Sequence, residues 1–338
     1  MSGSSDPDWD SSSDSNTTRS SSRSRQQYSN SDSTEEDTID GALNVGRGDD
    51  CIVFTRYLYN KVEVKQSLFF SILDKQGYES MFWAYELYYS GFHVELLEYL
   101  LNIYKEVYYE TNKKLSYFIN NTLNEWSDYP ERVWLLGSIV MTLSQRDYDI
   151  NPFITNYFKI KCHPKPRSES SLHKMIIRIK DDDIVSFKTL NVPDAENVMK
   201  YVCRFRLRKE VSALFDVDIP HYKTMLDYFE FNWLYYGYRS PIWRERIDDY
   251  GGILNHEKKE VVFEDEDAFE DFYQRWGYNP QEQSHDVRWN CIGNGQEDQM
   301  TLKEFCRRFG ATPVMKKVKP EIQSDSNGTT LANTITYT

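Results

Sequence analysis

The stretch ELLEYLLNIYKEVYY, residues 95–109, decides the fold. Leu96, Leu97, Leu100, Leu101, Tyr104, Val107 and Tyr108 recur at helical spacing and form one apolar stripe. Glu95, Glu98, Asn102, Lys105 and Glu106 fill the opposite face. This predicts an amphipathic helix, and the chain on both sides continues the pattern. Upstream, Val64, Leu68, Phe69, Ile72 and Leu73 mark one helix and Met81, Phe82, Ala84, Tyr85, Tyr88 and Tyr89 another, with Gly77 and Gly91 at the helix ends. Downstream, Thr111-Asn112 are expected to cap a helix carrying Leu115, Phe118, Ile119, Leu123 and Trp126. Asp128 and Pro130 announce RVWLLGSIVMTL (132–143), which is apolar nearly all round and so expected to be central. Asn151-Pro152 opens a short helix to Phe158.

Helices of this length joined by short turns, without strand-like alternation, predict a mainly α fold of stacked antiparallel helical hairpins. No fixed sequence period repeats, so the stack is repeat-like, and a compact irregular bundle is the competing reading. The first lobe is placed at 49–160. His163-Pro164-Lys165-Pro166-Arg167-Ser168 interrupts the pattern and sets a boundary before a helix-rich second lobe at 161–310. In that lobe Met175–Ile179 reads equally as strand or helix turn. Pro193-Asp194 starts a helix expected to bury Val198, Met199, Val202 and Phe205, and Tyr222–Trp233 forms another ending before Gly237. ILNHEKKEVVFE predicts a β-hairpin near 253–263 turning at Asn255-His256. A helix follows from Asp265 to Trp276, and Pro280 and Thr301 mark two more.

Composition sets the outer limits. The 338 residues carry 40 Lys+Arg against 53 Asp+Glu, a net charge of −13, with mean hydropathy −0.69. No apolar run reaches membrane-spanning length and the N-terminus lacks a basic-then-apolar leader, so neither membrane contact nor secretion is expected. Five scattered cysteines without a CxxC pair fit reduced thiols in a cytosol-like compartment. Residues 1–50 hold 11 Asp/Glu against 4 Arg, and 14 serines fall within the first 34. With so little apolar surface to offset chain entropy, 1–48 reads as a disordered acidic tail, and 311–338 as a second flexible tail. Ser5, Ser11, Ser29 and Ser33 each precede an acidic residue by three positions, the arrangement an acid-directed kinase accepts.

Chemical signatures are sparse. Gly41 to Gly46 gives G-x4-G, but Arg47-Gly48 follows where a phosphate loop needs Lys and Ser/Thr. HExxH, GxSxG and helix-opening GxGxxG are absent. The six histidines are dispersed, so no metal and no cofactor is expected. Asp181-Asp182-Asp183 and the acidic run 264–271 could hold Mg²⁺ or act as acid and base. A solvated loop for the first and helix-dipole stabilisation for the second are the simpler accounts. Arg204, Arg206, Arg208 and Lys209 form one local basic patch that, on a helix, would meet RNA phosphates or an acidic partner. Aromatics make up 15% of the chain. Most are expected in the core, with Trp83, Tyr88 and Tyr89 as candidate surface anchors for a protein partner.

Two segments carry a resemblance. VFTRYLYNKVEVKQSLFFSILDKQGYESMFWAYELYYSGF (53–92) and SPIWRERIDDYGGILNHEKKEVVFEDEDAFEDFYQRWGYNPQEQS (240–284) resemble a protein family of the nucleocytoplasmic large DNA viruses, the giant viruses of protists. The first carries the family pattern at Thr55–Tyr59 and from Phe82 to Phe92. The second carries it at Tyr250-Gly251-Gly252, through Val261–Asp267 and on to Ser284, with Trp276 at one aromatic place. The resemblance implies a viral origin and expression in the host cytoplasm around the virus factory, and it brings no catalytic residue. Together these readings lead to the expectation of a non-enzymatic viral helical scaffold or adaptor that binds viral or host proteins, with the assembly of translation or transcription complexes as its setting. A nucleic-acid-associated factor using the basic patch, a virion structural component and a metal-dependent enzyme built on the acidic clusters are the alternatives. Oligomeric state stays open.

Overall fold

The computed structural model describes residues 52–163, 175–188, 194–208, 215, 219–295 and 300–313. The chain is mainly helical. Helices α1 (Lys61–Leu73) and α2 (Gly77–Tyr89) form the first hairpin, followed by α3 (His93–Ile103), α4 (Leu115–Asp128), α5 (Trp134–Gln145) and α6 (Asn151–Phe158). As its apolar sequence requires, α5 is central and packs against α1, α2, α3 and α4. The approach of α2 depends on Gly137, where a Cβ would stand 2.4 Å from the Tyr85 hydroxyl. Among the described residues no helix is long and apolar enough to cross a membrane.

The founding stripe folds as expected, with one modification. Leu96, Tyr99, Leu100 and Ile103 are buried, and a π-helical turn then spans Tyr104–Tyr108, closed by the Tyr109 amide donating to the Tyr104 carbonyl at 2.8 Å. The extra residue in that turn keeps Tyr104, Val107 and Tyr108 all facing the core. Thr111 and Asn112 do not cap α4. Their side chains bond back to the Tyr108 carbonyl and across to that of Asp147, and α4 begins three residues later, at Leu115.

After β1 (Cys162–His163), the segment around Ile177 is neither strand nor helix. It runs along α5, where the Ile177 amide donates to Thr142 Oγ1 at 3.0 Å and the Ile179 amide to Ser138 Oγ at 2.8 Å. Hydroxyls four apart on a helix are spaced by about 6 Å, close to the advance of two extended residues, so α5 takes the place of a partner strand. The Asp triplet opens a 3₁₀ turn, Asp181–Phe187. A short 3₁₀ turn, Ala195–Asn197, leads into α7 (Val198–Val202), which is shorter than expected and leaves Phe205 outside it. The expected Tyr222 helix divides at Asn232 into α8 (Tyr222–Phe231) and α9 (Trp233–Gly237), because the Asn232 amide group turns to donate to the Lys259 carbonyl at 3.1 Å.

Then follow α10 (Pro241–Asp249), β2 (Ile253–Asn255), β3 (Glu260–Val262), α11 (Glu266–Trp276), α12 (His285–Ile292), α13 (Leu302–Phe309) and β4 (Thr312–Pro313). β2 and β3 pair antiparallel with Ile253 opposite Val262. Their turn is wider than the expected dipeptide, because the Asn255 carboxamide oxygen accepts from the amides of both Glu257 and Lys258, each at 3.1 Å. Pro280 opens only a 3₁₀ turn, and α12 starts after Ser284. Thr301 caps α13 in a reciprocal box with Glu304. β4 pairs with β1.

One apolar interior runs from Ile52 to Ala311, through residues on both sides of the 161–168 boundary. Phe69 and Phe70 of α1 meet Phe153 of α6, Phe215, and Phe305 and Phe309 of α13. Elsewhere Phe54 packs on Phe229 and Tyr236, and Trp233 stacks on Tyr278 while Trp243 meets both rings edge-on.

Candidate functional site

The segment Thr55–Tyr59 is a tight turn, with the Thr55 amide donating to the Tyr59 carbonyl at 2.9 Å and Leu58 at a left-handed φ of 61°. α2 clips it from one side. Arg56 Nε donates to Glu86 Oε2 at 2.9 Å, the Tyr57 amide to Glu86 Oε1 at 3.0 Å and the Arg56 amide to Ser90 Oγ at 2.9 Å, all buried. From the other side Trp243 Nε1 donates to the Thr55 carbonyl at 2.9 Å, and the thiols of Cys203 and Cys291 both point to the Tyr57 carbonyl. The two segments that carried the family resemblance therefore meet at this turn. Sequence reading did not find the meeting place, because Glu86 and Trp243 become partners of the turn only through the tertiary fold.

The expected basic helix does not form. Residues 203–208 are irregular because their backbone is taken by other elements: Leu207 donates to the Asn290 carbonyl at 3.0 Å, Arg208 to Ser67 Oγ at 2.9 Å, and the Phe205 carbonyl accepts from the Tyr59 hydroxyl at 2.8 Å. Arg208 is drawn inward, forking onto Glu79 at 2.9 and 2.7 Å and pairing with Asp74, which also holds Arg308 at 2.6 Å. Burial works against its charge, but the bonds and charges of Glu79 and then Asp74 outweigh it, so the Arg208 pKa rises. Arg208 is thus a structural brace and is corrected from the phosphate-binding set. Arg204 and Arg206 stay exposed, Arg204 against the Tyr78 hydroxyl and Arg206 over the Trp289 ring. Lys209 and the four tail serines, Ser5, Ser11, Ser29 and Ser33, lie outside the described residues. Arg208→Ala is expected to lower stability by about 1–3 kcal/mol, since Glu79 is left with only the Trp83 N–H while Asp74 keeps Arg308. Arg204→Ala should change it by less than about 0.5 kcal/mol, and urea melts of the two variants compare them directly.

Trp83 is corrected too. It is fully buried against Tyr59 and Phe82, with its Nε1 donating to Glu79 Oε1 at 3.1 Å, so it anchors the core and not a partner. Tyr88 and Tyr89 are half-buried. Tyr88 sits in a surface ring group with His93 and Trp126, while Tyr89 lies beneath the Arg56 guanidinium. The acidic runs have structural roles. Asp183 accepts from the Lys180 amide at 2.9 Å, Asp181 pairs with Lys188, and Asp265 caps α11 by accepting from the Ala268 amide at 2.8 Å. Among the described residues no three His, Cys, Asp or Glu side chains come together as a metal site would require.

The feature sequence reading missed is the outer face of the β2–β3 hairpin. Leu254, Val261 and Phe263 turn toward the core, while Ile253 (71% exposed), Val262 (48%) and, from α11, Phe269 (45%) face outward. A shallow groove runs along the hairpin, lined by Ile253, Val262 and Phe263 with Glu257 and Glu264 among its polar residues. The alternation was visible in ILNHEKKEVVFE, where a period of two with apolar residues on both faces signals a strand pair with a second contact to make. This chain matches no protein-family model, no curated protein and no solved structure.

Proposed function

We propose that the chain is a non-enzymatic helical scaffold or adaptor, and that the outer face of the β2–β3 hairpin with Phe269 is its docking surface for a protein partner. The observation that carries this reading is the exposed Ile253–Val262 pair. Cross-strand apolar neighbours left in water are disfavoured in a monomer and stabilising once covered. The surrounding residues define the partner's chemistry. Glu257, Glu264, Glu266, Asp267 and Glu270 are all exposed on the hairpin and the start of α11, so the fitting partner presents apolar side chains flanked by Lys or Arg. A role in viral gene expression in the host cytoplasm is the setting we propose from the resemblance of 53–92 and 240–284. The alternative of a nucleic-acid factor is weakened by the inward turn of Arg208.

Affinity capture with the full chain from infected cells tests the reading when wild type is compared with the Ile253→Asp/Val262→Asp double variant. Both side chains are exposed, so no core packing is lost, and the two like charges facing each other across the strands should cost about 1 kcal/mol or less. The expected result is a defined set of basic, apolar-flanked proteins retained by wild type and lost by the variant. An identical set on both, or none on either, would sink the proposal.

A further inference from the structure

We propose that Cys203 and Cys291 form a reversible disulfide, a redox switch that fastens the 203–208 segment to α12. The two residues are 88 apart in sequence, yet their sulfurs stand 3.6 Å from each other. The neighbouring backbones are already held side by side. Asn290, next to Cys291 on α12, donates from its carboxamide to the Cys203 carbonyl at 2.6 Å, and its own carbonyl accepts from the Leu207 amide at 3.0 Å. Both side chains converge on one point, the Tyr57 carbonyl, which lies 3.8 Å from the Cys203 sulfur and 3.7 Å from the Cys291 sulfur. A disulfide needs sulfurs about 2.05 Å apart on side chains that point toward each other. The remaining approach is roughly 1.5 Å, which side-chain rotation and a small shift of the irregular 203–208 backbone supply.

Access follows from the same placement. Cys291 is fully buried in α12, while Cys203 is 5% exposed at the start of a segment with no helix or strand of its own. Local opening of that segment presents Cys203 to solvent before Cys291, and hydrogen peroxide is small enough to meet it there. As its thiolate, Cys203 attacks one peroxide oxygen. The S–O bond forms as the O–O bond breaks, and the released hydroxide takes up the thiol proton and leaves as water. Reclosure brings the Cys203 sulfenic acid back to Cys291, whose sulfur displaces the S–OH oxygen as a second water. The two thiols lose two electrons and two protons, and one peroxide becomes two waters. A dithiol reductant reverses the bond by exchange. The closed loop restricts the unfolded chain far more than the folded one, so oxidation stabilises the fold. It also holds in place the exposed Arg204 and Arg206, which lie on the fastened segment.

The test treats the native full chain with stepwise hydrogen peroxide, alkylates the remaining thiols, and follows the samples by peptide mass mapping and thermal melts. The expected product is a Cys203–Cys291 linked peptide, lighter by two hydrogens than the reduced pair and split by dithiothreitol. The melting temperature should rise by about 5 °C or more on oxidation. Cys203→Ser, whose hydroxyl can still donate to the Tyr57 carbonyl, should show neither the link nor the rise. If that variant disturbs the fold, the wild-type mapping decides alone. Both thiols still open to alkylation after peroxide, either one linked to a different cysteine, oxidation of the half-buried Cys162 with this pair untouched, or an equal rise in the variant would each overturn the switch. The pair and the hairpin surface share no residue, so failure of one leaves the other standing.

Discussion

Glu86→Ala is expected to destabilise the protein by about 3–5 kcal/mol, the range found when one partner of a buried ion pair is removed. Glu86 is fully buried, and both of its carboxylate oxygens are used, Oε2 by the Arg56 side chain and Oε1 by the Tyr57 amide. Truncation leaves a guanidinium with 2% exposure and a buried backbone amide without their acceptor, and water has no ready route to replace it. Against a typical total of about 5–15 kcal/mol, that is a large share of the stability. The loss should be mostly the cost of the stranded charge and not the worth of the pair. Arg56→Met/Glu86→Leu, which removes both charges and keeps the volume, is therefore expected to recover much of it. Urea denaturation of Arg56→Met, Glu86→Leu and the double closes the cycle. A double variant no more stable than Glu86→Ala would show that the pair itself, and not its breakage, holds the turn.

Trp83→Ala should cost a comparable amount, about 3–5 kcal/mol, for a different reason. The indole fills the space between Tyr59, Phe82 and Phe205 with ring centroids 5.0, 4.8 and 6.4 Å away, and none of its surface is exposed. α1 and α5 flank α2 closely enough to limit collapse into the vacated volume. The indole N–H also steadies Glu79, the carboxylate that holds Arg208, so truncation loosens that brace as well. Tyr88→Ala, half-buried on the surface of the same helix, should cost only about 1 kcal/mol. Thermal melts of the two variants side by side measure the contrast. Equal losses would mean that α2 buries Trp83 no more deeply than Tyr88.

The sequence was most readable where local pattern and tertiary need agree. The stripe from Leu96 to Tyr108, the all-round apolar α5, the Asp265 and Thr301 caps and the hairpin near 253–263 could all be read from spacing alone. It was least readable where the backbone of one segment is claimed by residues far away. Arg204–Arg208 has helical composition, yet Ser67 and Asn290 take its amides and Glu79 takes its third arginine, so a patch that looks basic in sequence is half spent in space. Trp83 looked like a possible anchor because α2 is aromatic on several faces. Nothing local records that α1, α5 and the 202–205 segment cover those faces.

The Thr55–Tyr59 turn also bears on the order in which the chain is made. Its partners lie far along the polypeptide: the Trp243 bond spans 188 residues and the Cys291 contact 234. At a ribosomal rate of about 5–20 residues per second, the turn waits roughly 10–40 s for Trp243 to be synthesised, and longer for Cys291. During that interval Glu86 is already available to Arg56, so the ion pair can hold the turn before its aromatic cover arrives. The charged clip is then a temporary fastening that later becomes permanent, and a turn made early in synthesis is among the last to be finished.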